Sequence, residues 1–178
     1  MSAAAGGGRT RLFFALWPDD GVRDALAALA TDAQAECGGR MTAREKIHLT
    51  LFFVGDIERE RIAALETAAA SLATVPFDLV LDRLCRWRHN SIVWAGAANC
   101  PSALAALAAG LHGALARAGV QGEERPYVPH ITLVRNAARA PAAASIPPCA
   151  WRAREFVLVE SVPAARGVRY DLRARSPL

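Results

Sequence analysis

Four residues of this chain have the types and spacing of a proton-transfer site: His48 and Thr50 in "EKIHLTLFFVG", and His130 and Thr132 in "VPHITLVRN". Imidazole is the side chain whose unshifted pKa, about 6.5, lets it give or take a proton near neutral pH. Hydrolysis of a phosphodiester needs a base for the attacking water, an acid for the departing alkoxide, and donors that hold the phosphoryl oxygens as their charge redistributes. Two histidines and two threonines supply all three. A single histidine in an apolar strand would read as a core residue bonded to a backbone carbonyl. Here two of only four histidines stand in the same His-apolar-Thr-apolar phrase, and that repetition argues for function. Of the others, His89 in the basic turn "RWRHN" reads as surface, and His112 as a mid-helix residue facing solvent or packing.

In an extended strand successive side chains alternate faces, so His48 and Thr50 share one face while Leu49 and Leu51 take the other. The same holds for His130 and Thr132 against Ile131 and Leu133. Two such faces brought together make a pocket with two imidazoles and two hydroxyls. Arg135 is a candidate cationic anchor for the phosphate, but it stands at an odd offset from His130. In an unbroken strand it would point away, and it reaches the pocket only if the strand twists or ends near Asn136.

Several chemistries find no support. The opening "MSAAAGGGRT" carries no Gly-Lys-Ser or Gly-Lys-Thr and is no phosphate loop; residues 1–8 read as a flexible tail. A zinc site on the histidines would lack carboxylate or cysteine companions at ligand spacing, so no metal and no cofactor is expected. Cys37, Cys85, Cys100 and Cys149 are scattered and read as buried or idle thiols. "LFFALW" is too short for a membrane span and has no cleavage site behind it, which predicts a cytoplasmic protein with no membrane partner. The formal charge of +4 comes from arginine, Lys46 being the only lysine, and leans towards anionic partners.

The elements that must position the pocket can be read in order. "RLFFALWP" predicts a buried strand, and "DDGVRDALAALATDAQAECGG" a helix capped by Asp19 or Asp20 and ended by Gly38 and Gly39. Ile47 to Val54 is a second strand, followed by the helical spacing of "ERERIAALETAAASLAT". "FDLVLDRLC" and "NSIVWAG" read as antiparallel neighbours. "PSALAALAAGLHGALARAG" is a helix with Pro101 at its start and Gly119 at its end. After the second histidine strand, "ARAPAAASIPP" reads as a loop leading to two closing strands, "FVLVESV" and "VRYDLRARSPL". The halves look weakly duplicated. The expectation is a single α+β domain over 9–178, with two small antiparallel sheets facing across a central cleft and helices outside.

On these residues the sequence resembles the two-histidine phosphoesterase superfamily, and within it the RNA 2′,3′-cyclic phosphodiesterases, also called LigT-like 2′-5′ RNA ligases. "RLFFALWPDD", "KIHLTLFFVGDI", "RPYVPHITLVRN" and "FVLVESVPAARGVRYDLRARSPL" carry the resemblance over nearly the whole chain. It implies the bilobal fold and metal-free hydrolysis of a terminal 2′,3′-cyclic phosphate on RNA to a 2′-phosphomonoester. It further implies His48 as proton donor to the leaving 3′ oxygen, His130 as proton acceptor from water, Thr50 and Thr132 as phosphate-binding hydroxyls, and Arg135 as a phosphate contact. Run backwards, the chemistry joins a cyclic end to a 5′-hydroxyl without a nucleotide cofactor. The expected partner is RNA with a 2′,3′-cyclic phosphate end, tRNA fragments among the candidates, acted on by a monomer. Phe13, Phe14 and Tyr127 are candidates for stacking the base, and only one of the two phenylalanines can face the cleft of a regular strand. Two other readings stand beside this one: a module that holds RNA ends without turnover, and a phosphodiesterase for cyclic nucleotides or ADP-ribose 1″,2″-cyclic phosphate.

Overall fold

The computed structural model describes residues 8–178 except Glu124 and Arg166, so the expected tail falls outside the described residues apart from Gly8. The elements are β1 (Arg9–Leu16), α1 (Asp20–Cys37), β2 (Arg40–Met41), β3 (Leu49–Glu58), α2 (Ile62–Ala70), β4 (Phe77–Trp87), β5 (Ile92–Gly96), α3 (Ser102–Arg117), β6 (Ile131–Arg135), β7 (Ser145–Ala153), β8 (Glu155–Ala164) and β9 (Gly167–Pro177). The helix signals in the sequence act as expected. Asp19 caps α1, its carboxylate accepting from the Val22 amide at 2.9 Å, and Gly38 ends the helix at φ +71. Pro101 opens α3, and Gly119 follows it at φ +77.

All strand pairs are antiparallel, in the order β7-β4-β5-β6-β3-β1-β8-β9, with β2 on β6. Two half-sheets are present, but they are not separate. They join through a single pair, Leu49 opposite Ile131, to form one continuous sheet. Both residues are fully buried and point into the core. Alternation then turns His48, Thr50, His130 and Thr132 to the other, open side. The joint between the halves is thus also what sets the two histidine phrases side by side.

The stretch expected as a loop, "ARAPAAASIPP", contains the start of β7. Pro147 and Pro148 argued against a strand because they have no amide to donate. They are tolerated because β7 is an edge strand and because the register with β4 shifts between Leu81 and Arg83, across from them. The two-residue β2 also went unseen, being too short to show a period.

The helices cross between halves. α1 follows β1 in sequence yet packs on β6 and β7, whereas α3, which precedes β6, packs on β3 and α2. One apolar core results, running from Leu12, Leu26 and Leu49 through Leu111 to Ile131 and Leu133. A second, small cluster of Phe13, Ala15, Val157 and Val159, flanked by Trp17 and Tyr170, lies on the open face under His48. Among the described residues no helix is long and apolar enough to cross a membrane.

Candidate active site

Both histidines sit one residue ahead of their strands and are fixed by the same local device. The Nδ1–H of His48 donates to the Lys46 carbonyl at 2.6 Å, and that of His130 to the Val128 carbonyl at 2.8 Å. A carbonyl only accepts, so in each neutral ring Nδ1 carries the proton and Nε2 is left as the working nitrogen. The Nε2 of His48 lies 3.1 Å from the Thr50 hydroxyl, which donates to it while the ring is neutral. All four residues line one cleft of about 2220 Å³, several times the volume of a nucleotide.

Aromatic rings wall each imidazole. Trp17 stacks on His48 at 5.6 Å and 14°, Phe13 lies at 4.8 Å, and Tyr170 meets it edge-on at 5.4 Å. Trp87 and Trp94 meet His130 edge-on at 4.5 and 6.1 Å. Burial among these rings disfavours the imidazolium. It pulls His48 down to about 4, the Lys46 carbonyl opposing the shift and the charges of Arg135 and His130 adding to it. His130 is lowered as well, chiefly by burial, against its bond to Val128 and with help from Arg135.

Arg135 lines the cleft despite its odd offset. Against β5 the register of β6 shifts by one residue between Thr132 and Val134, so Leu133 is an extra residue in a bulge. Leu133 and Val134 are both fully buried, and the parity of the strand changes before Arg135. β3 does the same: its register with β1 shifts after Thr50, and Leu51 and Phe52 are both buried. By this duplicated bulge Phe53 holds in the first motif the place that Arg135 holds in the second.

The aromatic candidates divide. Phe14 is 1% exposed and packs against Phe156 at 6.2 Å in the core, so it does not stack a base. Phe13 is on the cleft side, as parity demands, but at 4% exposed it is covered by His48 and Tyr170 and offers no free face. Tyr127 is 38% exposed and lines the cleft, its hydroxyl donating to the Thr50 carbonyl at 3.1 Å. Burial pushes this phenol up, which keeps it a donor. Trp17, Trp87, Trp94 and Tyr170 were missed because an aromatic in or beside a strand is ordinarily core, and only tertiary packing brings them to the histidines; Phe53, also missed, lines the cleft further out. Of the remaining histidines, His89 is exposed, as expected, and His112 is an exposed residue at the cleft wall, 5.8 Å from Phe52. Of the thiols, Cys37 is buried, Cys85 and Cys149 are partly buried, and Cys100 is exposed.

No group of three or more metal-ligating side chains occurs among the described residues. A second hollow of about 410 Å³ between α2 and the end of β9 has Arg175 as its only charged side chain, paired with Glu155, and no proton-transfer group.

Fold and site together define an α+β protein with two histidine motifs opposed across a cleft. A family model described as the 2′-5′ RNA ligase superfamily matches residues 18–162, and the chain belongs to that superfamily. It is 34% identical over 164 residues to the RNA 2′,3′-cyclic phosphodiesterase of Escherichia coli K12, a match covering 90% of this chain and 92% of that one. The protein of the same name from Thermus thermophilus is 31% identical, with 91% and 87% covered. The crystal structure of E. coli LigT complexed with 3′-AMP superposes with a TM-score of 0.86 at 32% identity, covering 96% of this chain and 99% of that one.

Proposed function

We infer that this chain is an RNA 2′,3′-cyclic phosphodiesterase that hydrolyses a terminal cyclic phosphate to a 2′-phosphomonoester by acid-base catalysis between His48 and His130. The observation that carries the reading is the paired tautomer lock: two imidazoles, each held through Nδ1, turn Nε2 into one cleft beside Thr50, Thr132 and Arg135. Water attacks phosphorus as its proton passes to His130 Nε2; the new P–O bond forms, the P–O3′ bond breaks, and the alkoxide takes a proton from His48 Nε2. The two threonine hydroxyls and the Arg135 guanidinium hold the non-bridging oxygens. Replacing water by a 5′-hydroxyl gives the joining reaction. Tyr127 at the wall of the cleft stacks the terminal base.

Burial keeps both imidazoles neutral at pH 7, with His48 pulled down to about 4. The donor role of His48 therefore depends on the substrate. A bound phosphodiester anion offsets the charge of Arg135 and favours the imidazolium. The same reading takes the enzyme as a metal-independent monomer, one domain over 9–178, acting in the cytoplasm on RNA ends such as tRNA fragments.

The deciding experiment feeds an oligonucleotide with a 2′,3′-cyclic end and identifies the product isomer. A 2′-phosphate product, lost in His48→Ala and in His130→Ala while RNA binding persists, supports the reading. Binding and turnover lost together would favour plain RNA-end binding. Survival of activity after exhaustive chelation supports the metal-free mechanism, and sedimentation tests the monomer.

A further inference from the structure

Phe53 is 41% exposed in the middle of β3, on a wall of the catalytic cleft, and the guanidinium of Arg11 lies 5.0 Å from its ring centre. An exposed ring on the wall of a catalytic cleft, unlike a lone apolar residue on an outer surface, offers a stacking face to what enters, and an arginine beside it suits an anionic, flat occupant. The neighbouring cations are already engaged. Arg9 pairs with Glu58 at 2.8 Å, and Arg59 pairs with the buried Glu160 at 2.6 Å. Arg11 has no carboxylate within ion-pair distance among the described residues, although Asp56 is its cross-strand neighbour.

Position along the strand tells which part of an RNA this pair meets. Tyr127 bonds to the backbone of Thr50 itself and stands next to the phosphate hydroxyls. Phe53 is further along β3, and at about 3.3 Å per residue, less the bulge, it lies roughly 7–10 Å beyond Thr50. That is about one nucleotide step of a single strand. Arg11 lies in the same outward direction, because β1 runs antiparallel to β3 and Phe13 is opposite Phe53.

We propose that Phe53 and Arg11 form a seat for the nucleotide that precedes the cyclic-phosphate nucleotide: its base stacks on the phenyl ring and a backbone phosphate meets the guanidinium. The inference rests on the phosphodiesterase reading and deepens it, since a second seat is what separates an RNA end from a cyclic mononucleotide of the same chemistry. It uses the two elements general to single-strand recognition, a stacking ring and a cation that follows the backbone.

Steady-state rates with 2′,3′-cyclic AMP, with a dinucleotide ending in the same cyclic phosphate, and with that dinucleotide made abasic at its first position test the proposal. Wild type should show a higher kcat/KM for the intact dinucleotide than for the other two. Phe53→Ala should lower the dinucleotide value about 5- to 150-fold, the range of a lost base stack, and change the mononucleotide value less than twofold. Phe53→Tyr should restore the dinucleotide value, and Arg11→Gln should raise KM for both dinucleotides alone. Equal loss on mononucleotide and dinucleotide, or no loss on the dinucleotide, would overturn the seat. Failure of wild type on all three substrates would instead overturn the phosphodiesterase reading. Far-UV circular dichroism and melting of each variant, both residues being exposed, would separate misfolding from lost binding.

Discussion

At the residue scale the site couples two imidazoles whose protonation is set against them by their surroundings. The pH profile is therefore where the mechanism is most exposed to test. Because kcat/KM reports the free enzyme and kcat the bound complex, the kcat/KM bell should peak below pH 6.5, where lowered imidazole pKa values place its limbs. The kcat bell should lie at higher pH, since the bound phosphate anion raises both groups. Profiles that coincide, or are flat from pH 5 to 9, would speak against paired proton transfer. On the proposed mechanism Arg135→Ala should cost about 100-fold in kcat; Arg135→Lys should recover only part of it, because an ammonium lacks the rigid planar fork with which a guanidinium holds two oxygens. Removing this cation should also raise the pKa of His48, which nitrogen-15 NMR of the imidazole can follow.

At the element scale the decisive features are the two one-residue bulges. They let a strand bury Leu133 and Val134 in succession and still bring Arg135 round to the cleft. The turn after that strand is held by close backbone approach at Gly39, which adopts φ +89. A Cβ there would come within 2.5 Å of the Arg135 carbonyl oxygen and 2.8 Å of that of Asn136, and backbone atoms cannot swing away. Gly39→Ala should thus lower both the melting temperature and kcat by displacing Arg135. Gly167 has the same φ at the β8-β9 turn with nothing within 4 Å of the added carbon. Gly167→Ala should carry only the conformational strain, about 1–2 kcal/mol, with kcat unchanged. Thermal melts and kcat measured on the two variants make the comparison.

Taken as a whole molecule, the halves share the Leu49–Ile131 pair, the crossed helices and one core. Unfolding should show one transition, with near-UV and far-UV circular dichroism coinciding; two separated transitions would show independent lobes. Acid should weaken the fold. His48 has a folded-state pKa pulled below its unfolded value, so its contribution is full above about pH 6.5 and is lost as pH falls towards 4. Glu160 is also lowered, first by the Thr10 hydroxyl at 2.6 Å and then by Arg59 and Arg173, and loses its contribution as pH falls through its own lowered range. His48→Gln should therefore melt with less pH dependence between 6.5 and 4 than wild type, by roughly 1–3 kcal/mol.

The residues themselves carried the resemblance to the family and the α+β class, and they grouped His48 with Thr50 and His130 with Thr132, because in a strand period two puts each His and Thr on one face. Caps such as Asp19, Pro101 and Gly119 were legible for the same local reason. Tertiary structure alone decided the rest. Whether Arg135 reaches the cleft hangs on a bulge that shows only as register between strands. Phe14 and Phe53 are the same residue type in similar apolar runs, yet one is sealed in the core and the other open to the cleft. β7 keeps its prolines because it is an edge strand with a register shift opposite them, and the aromatic walls that set the imidazole pKa values come from four separated strands or their flanks. Such facts belong to pairs of elements, and local pattern holds no record of which elements meet.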